Sequence, residues 1–134
     1  MQSIEKIHGI DPVVAARLRN AGITTVNALL KTCSTRTGRR EIAKRAGVPD
    51  ALLLRFVNHA DLMRINGIGW QIACLMENAG VDSVPELAHR NPVNLCRQLA
   101  EANAQLKVVR QVPSVWRVTE WIEKARAMSA VVTH

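Results

Sequence analysis

Tyrosine is missing from this chain, phenylalanine occurs once, and tryptophan three times. A core with so few aromatic rings must be filled by aliphatic and small side chains, which pack at close range. Cysteine is scarce and odd in number: Cys33, Cys74 and Cys96 lie far apart, with no Cys-x-x-Cys among them. That excludes a disulfide scaffold and a thiolate metal framework, and fits a reduced, cytoplasmic compartment. No apolar run approaches the ~20 residues that a membrane helix needs. The start, Met1-Gln2-Ser3-Ile4-Glu5, has neither the charged stretch nor the apolar stretch of a secretory signal. Alternating apolar and polar residues are also absent, so strands are not expected.

Catalytic and metal-binding patterns are equally thin. His8, His59, His89 and His134 are isolated in sequence. His59-Ala60-Asp61 offers two ligands where a metal site needs three or four. No nucleophile stands in register with a base, and no glycine-rich phosphate loop carries a lysine. The expectation is a protein without catalytic residues, cofactor or metal. Cys33 lies near basic residues, which leaves two readings: a thiol of lowered pKa, or, more commonly, a buried and inert one.

What the chain does have is length for a core, positive charge and an internal repeat. Its 134 residues suffice for one domain, and 48% of them are hydrophobic. The net charge is +7. Residues 1–60 carry ten basic and four acidic residues, +6, and residues 61–134 carry eight and seven, +1. A field concentrated on one half attracts phosphate polymers, anionic membrane or acidic proteins, though a basic balance also serves solubility alone.

Residues 7–30, IHGIDPVVAARLRNAGITTVNALL, align without a gap on residues 65–88, INGIGWQIACLMENAGVDSVPELA, with nine of 24 positions identical. Both copies read as a short apolar turn, a helix closed by Asn-Ala-Gly, then a second helix. Gly22 and Gly80 suit left-handed helix ends, and the hydroxyl and carboxylate side chains of Thr24-Thr25 and Asp82-Ser83 suit N-caps of the second helix. Looser matches follow: Arg40–Ala43 with Arg97–Ala100, and Phe56-Val57-x-x-Ala60 with Trp121-Ile122-x-x-Ala125. The second copy is longer by seven residues, and Val108–Ser114, with Pro113, reads as an irregular loop. Two pseudo-repeats, about 4–62 and 63–128, sharing one core in a single domain, with residues 129–134 frayed, complete the expectation.

Ile65-Asn66-Gly67-Ile68-Gly69 followed by a helix resembles a helix-hairpin-helix motif. Such turns direct backbone N–H groups at a nucleic-acid phosphate without reading sequence. More broadly, Ile7–Leu30, Thr37-Gly38-Arg39 and the run from Val57 to Gly69 resemble a bacterial domain-of-unknown-function family with tandem repeats of this type. The resemblance implies an all-α, duplicated helix-hairpin-helix (SAM-like) compact domain of about eight short helices. The first hairpin departs from the pattern, with Asp11-Pro12 where a second glycine is expected. It therefore reads as structural, and the second as the one open to phosphate. Trp70, directly after that turn, is either core or a stacking platform.

Lys31–Arg45, KTCSTRTGRREIAKR, is the basic segment. Arg40 and Lys44 share a helix face, while a Glu41–Arg45 pair would account for part of the charge by helix stabilisation alone. Arg40–Asn58 also imitates a repressor-type helix-turn-helix, with Pro49, Asp50, Ala51 and Leu54 starting the second helix. That start is poor in base-reading side chains. The expected nucleic-acid contacts are Arg64, Gly67, Ile68, Gly69 and Gln71 at the second hairpin, and Arg36, Arg39, Arg40, Lys44 and Arg45 in the basic segment. The alternative is a protein-interaction or assembly module with no nucleic-acid role.

Overall fold

The structure, a computed structural model, describes residues 2–134. These form eight α-helices and no strand, apart from an isolated antiparallel bridge between Ser3 and Thr25. After a 3-10 turn, Ile4–Lys6, come α1 (Pro12–Asn20), α2 (Val26–Cys33), α3 (Arg36–Ala46) and α4 (Asp50–Leu62). Then follow α5 (Trp70–Asn78), α6 (Val84–Ala88), α7 (Pro92–Leu106) and α8 (Val115–Arg126). The chain divides into two compact units, Met1–Asp61 with Val131–His134, and Leu62–Ala130.

Short helices depend on their ends, because four N–H groups at each start lack an intrahelical partner. Here side chains supply them. Asp11 accepts from Val14 N at 2.8 Å, Thr25 from Ala28 N at 3.0 Å, and Thr35 from Gly38 N at 3.0 Å. Ser83, Asn91 and Ser114 do the same for α6, α7 and α8. Each such bond contributes on the order of 1 kcal/mol. Helix α5 differs: its N-cap is Gly69, which has no side chain to give.

The sequence repeat reappears as repeated geometry at the same offset of 58. Gly9 and Gly67 have φ of +95° and +96°, and Gly22 and Gly80 have +88° and +86°. Ile7 N bonds Ile4 O as Ile65 N bonds Leu62 O, and Ile10 N bonds Ile7 O as Ile68 N bonds Ile65 O. After the first helix of each copy, Ile23 N returns to Leu18 O and Val81 N to Met76 O. The matched backbones follow from matched residues: only glycine adopts these positive φ values without strain.

Within unit 1, α2 and α1 pack on α3; within unit 2, α6 and α7 pack on α8, and α5 on α7. Unit 2 encloses a core of its own. It gathers Ile65, Leu75, Met76, Leu87, Leu95 and Leu99 around Val118, Trp121 and Ile122 of α8. Burying each such aliphatic side chain stabilises by ~1.5–3 kcal/mol. The second copy closes around its own helices. Two side chains hold the loop at 107–114: Asn103 Oδ1 accepts from Val108 N and Val109 N while its Nδ2 donates to Val109 O, and Cys96 Sγ donates to Pro113 O at 3.3 Å.

Residues 131–134, expected to fray, are instead hydrogen-bonded into unit 1. Thr133 N donates to Ser34 O at 2.7 Å, and the carbonyls of Thr133 and His134 accept from Arg39 and Arg36. A tail frays when its backbone groups have only water; these have partners.

Candidate functional site

The basic segment is helical from Arg36 onward. Thr35 caps α3, so Arg36, Thr37 and Gly38 make its first turn. Gly38 is required there for a reason of packing: a Cβ on it would collide with the carbonyl oxygen of Thr32, in the last turn of α2. The two helices meet backbone to backbone at this point.

Arg39 then points inward. It is 3% exposed, and its guanidinium donates to Cys33 O and Ser34 O, both at 3.1 Å, and to Thr133 O. Arg39 was expected to supply charge to a phosphate; its donors are committed to carbonyls, and it acts as the tie between the end of α2 and the tail. Neighbouring Cys33 is buried, and that burial pushes its thiol up to about 11, against a weaker pull from the Arg39 cation. The reading of Cys33 as a lowered-pKa thiol therefore fails, because desolvation outweighs one nearby charge.

The other cations of the segment face outward. Arg36, Arg40, Lys44 and Arg45 are exposed on α3. Arg36 Nε donates to His134 O at 2.8 Å. Arg40, Lys44 and Arg45 form no ion pair among the described residues, so the Glu41–Arg45 bridge allowed by spacing is not made. Arg36, Arg40 and Lys44 recur every four residues and form a row along one helix face. A depression of about 410 Å³ opens beside it, lined by Arg36, Arg40, Ala51, Leu54 and His134 among others.

At the turn of the helix-turn-helix-like stretch, one helix ends and the next begins. Gly47, at φ +69°, closes α3 in a left-handed cap, and α4 begins three residues later. Arg55, half-buried, is turned toward the first hairpin: its Nη1 would lie 2.9 Å from a Cβ on Gly9. That removes one of the few polar side chains able to read a base.

In unit 2 the second hairpin presents Gly67 on its exposed side, with Ile68 buried and Gly69 and Gln71 half-buried. The Ile68 amide, expected to serve a phosphate, donates to Ile65 O at 3.0 Å and is taken. Gly69 sits at φ −94° and ψ −168°, extended backbone open to any residue, and only Gln71 Oε1, at 3.6 Å, would meet a Cβ there. Arg64, half-buried, donates to Ser129 O at 3.1 Å. Trp70 is half-buried, between the two readings offered for it.

Arg117 is the residue that sequence reading missed. Its guanidinium lies 3.3 Å from where a Cβ on Gly67 would stand, and 5.7 Å from the centroid of the Trp121 ring. With Gly67, Pro113, Ser114 and Trp121 it lines a depression of about 360 Å³ beside the turn. The signal was present in the repeat. Pairing Phe56 with Trp121 makes α8 the counterpart of α4, and Gly9 lies under Arg55 and Phe56 much as Gly67 lies under Arg117 and Trp121.

Among the described residues no group of three or more His, Cys, Asp or Glu side chains could hold a metal ion. No helix is long and apolar enough to cross a membrane. His59 and Asp61 are both buried at the end of α4. No curated protein and no solved structure matches the chain. The sequence pattern of one family, described as a domain of unknown function (DUF4332), matches residues 8–128, nearly the whole length, and the protein belongs to that family.

Proposed function

We propose that the protein is a non-enzymatic module that binds the phosphate backbone of nucleic acid without sequence preference. The observation that carries this reading is the row of exposed cations on α3, of which Arg40 and Lys44, with Arg45 beside them, have no carboxylate partner. Unpaired cations at a regular spacing attract a polyanion and release its counterions. The second hairpin adds an exposed glycine turn, a helix start without a side-chain cap, and Arg117 close by. Backbone amides and arginines fix position on a phosphate chain but carry no sequence information. The shortage of polar side chains at the start of α4 fits that absence of base reading. The tandem repeats resemble helix-hairpin-helix units, whose turns contact phosphates in the same manner.

Fluorescence anisotropy with a labelled duplex, titrated against salt, tests this. With about four cations engaged, log affinity falls with log salt at a slope near −3 to −4. Arg40→Gln with Lys44→Gln reduces that slope by about two. Gly69→Asp copies the first repeat, where Asp11 caps α1. It stabilises the fold by roughly a few tenths of a kcal/mol through the new cap while placing a carboxylate at the turn, so binding weakens with no loss of stability. A loss of that kind cannot be blamed on misfolding. No binding to single- or double-stranded DNA or RNA at low salt overturns the proposal.

A second reading, protein assembly, is favoured by Trp116. It stands 71% exposed on α8 beside Val115 at 42%, in a chain with few aromatic residues. Solvent-facing Trp is enriched at interfaces because it buries a large area on binding. Light scattering then finds a mass above the monomer that persists in salt and reverts in Trp116→Ala. A monomeric mass at all concentrations rejects self-assembly.

A further inference from the structure

The tail and the anion surface occupy the same ground. Residues 131–134 lie along the start of α3 as an extended strap. Thr133 N donates to Ser34 O at 2.7 Å, and Thr133 O accepts from Arg39 Nη2. One residue further, His134 O accepts from Arg36 Nε at 2.8 Å, and the His134 ring meets Asn58 Oδ1 at 2.8 Å. Two consecutive carbonyls thus take one donor from each of two arginines. His134 also lines the depression of about 410 Å³ in which Arg36, Arg39 and Arg40 face Ala51 and Leu54. Main-chain oxygens and phosphate oxygens are both acceptors for guanidinium donors, so the two compete for the same N–H groups. The strap therefore holds the places that phosphate oxygens would take.

We infer that residues 131–134 are a built-in competitor for the anion site on α3. Docked, the strap withholds Arg36, while Arg39 ties it down from within. Released, the Arg36 guanidinium joins Arg40 in a two-arginine site for a phosphodiester backbone. The inference rests on the reading of α3 as the nucleic-acid surface, and adds that this surface is regulated by its own chain. Arg39 keeps its two bonds to Cys33 O and Ser34 O in either state. The scaffold therefore survives release of the strap.

Thr133→Pro in the full chain is the test. Proline lacks the N–H that bonds Ser34 O, and it removes that bond without shortening the protein. Thr133→Ala keeps the backbone and serves as control; Asn58→Ala removes the His134 ring contact by an independent route. Two probes are titrated: a labelled single-stranded oligonucleotide by anisotropy, and sodium tripolyphosphate by amide chemical shifts of α3. Thr133→Pro is expected to bind both about fivefold or more tighter than the wild type, with a salt slope for the oligonucleotide steeper by roughly one. Asn58→Ala is expected to shift the same way, and Thr133→Ala to match the wild type. Equal affinities for tripolyphosphate in Thr133→Pro and wild type overturn the strap, whatever the oligonucleotide does. Tighter tripolyphosphate binding with no oligonucleotide binding in either protein keeps the strap and rejects the nucleic-acid reading alone. Failure of Thr133→Pro to bind either probe overturns both.

Discussion

Replacing Arg39 with methionine is expected to destabilise the fold by about 3 kcal/mol, whereas Arg40→Met changes stability by no more than ~0.5 kcal/mol. The two arginines are adjacent in sequence and opposite in role. Arg39 is 3% exposed and donates to Cys33 O, Ser34 O and Thr133 O. Methionine keeps much of the apolar stem but strips the buried Cys33 O of this donor and takes one bond each from Ser34 O and Thr133 O. Lysine is no substitute: its single ammonium cannot match a planar fork that reaches carbonyls on both sides. Urea unfolding of the two variants, fitted with a common slope, measures the difference. Equal midpoints for Arg39→Met and wild type would show the guanidinium to be dispensable. The same contrast bears on binding: Arg40→Met lowers affinity for a polyanion in a folded protein, while loss of binding in Arg39→Met reports damage to the fold.

Much of the fold was legible in sequence because it is written locally. The offset of 58 between Ile7–Leu30 and Ile65–Ala88 is visible to the eye, and the glycines carrying it reappear at matching φ. Asp11, Thr25 and Ser83, which cap α1, α2 and α6, are of residue types that favour that position, each ahead of a helical pattern. Local chemistry decides such features, so local sequence reveals them. The candidate site was less legible because tertiary partners decide it. Nothing near Arg39 distinguishes it from Arg40 or Arg45; what buries it includes a carbonyl 94 residues away in the chain. Arg117 lay 50 residues beyond the turn it flanks, and only the repeat relation between Phe56 and Trp121 pointed toward it. The tail reads as loose because its side chains are ordinary, yet backbone groups, which sequence does not display, make most of its bonds. Thr37-Gly38-Arg39 carries part of the family resemblance. In the fold its neighbours explain it: Thr35 caps, Gly38 permits contact and Arg39 ties.

Gly38→Ala carries that last point to a result opposite to helix propensity. Gly38 lies inside α3 and has no positive φ. By propensity alone, alanine there is worth about 1 kcal/mol in favour of the helix. The added methyl, however, would run into Thr32 O, with Thr32 C and Thr35 Oγ1 each 3.2 Å away. The obstacle is backbone, which cannot rotate aside as a side chain can. Relief requires α3 to move off the end of α2, which loosens the Thr35 cap and draws Arg39 away from Cys33 O and Ser34 O. A net destabilisation of about 2–3 kcal/mol is expected. Gly22→Ala supplies the comparison: its φ is +88°, but nothing lies within 4 Å of the new methyl. Only backbone strain opposes it, at a cost of ~1–2 kcal/mol. Gly38→Ala should therefore be the less stable of the two in chemical denaturation, although backbone angles alone rank them the other way. Because both disturb the same carbonyls, Gly38→Ala and Arg39→Met combined should cost less than the sum of the two, with a coupling of roughly 1 kcal/mol. A Gly38→Ala protein as stable as the wild type would mean that α2 and α3 do not meet through their backbones, and Arg39 would lose the close packing that keeps it from water.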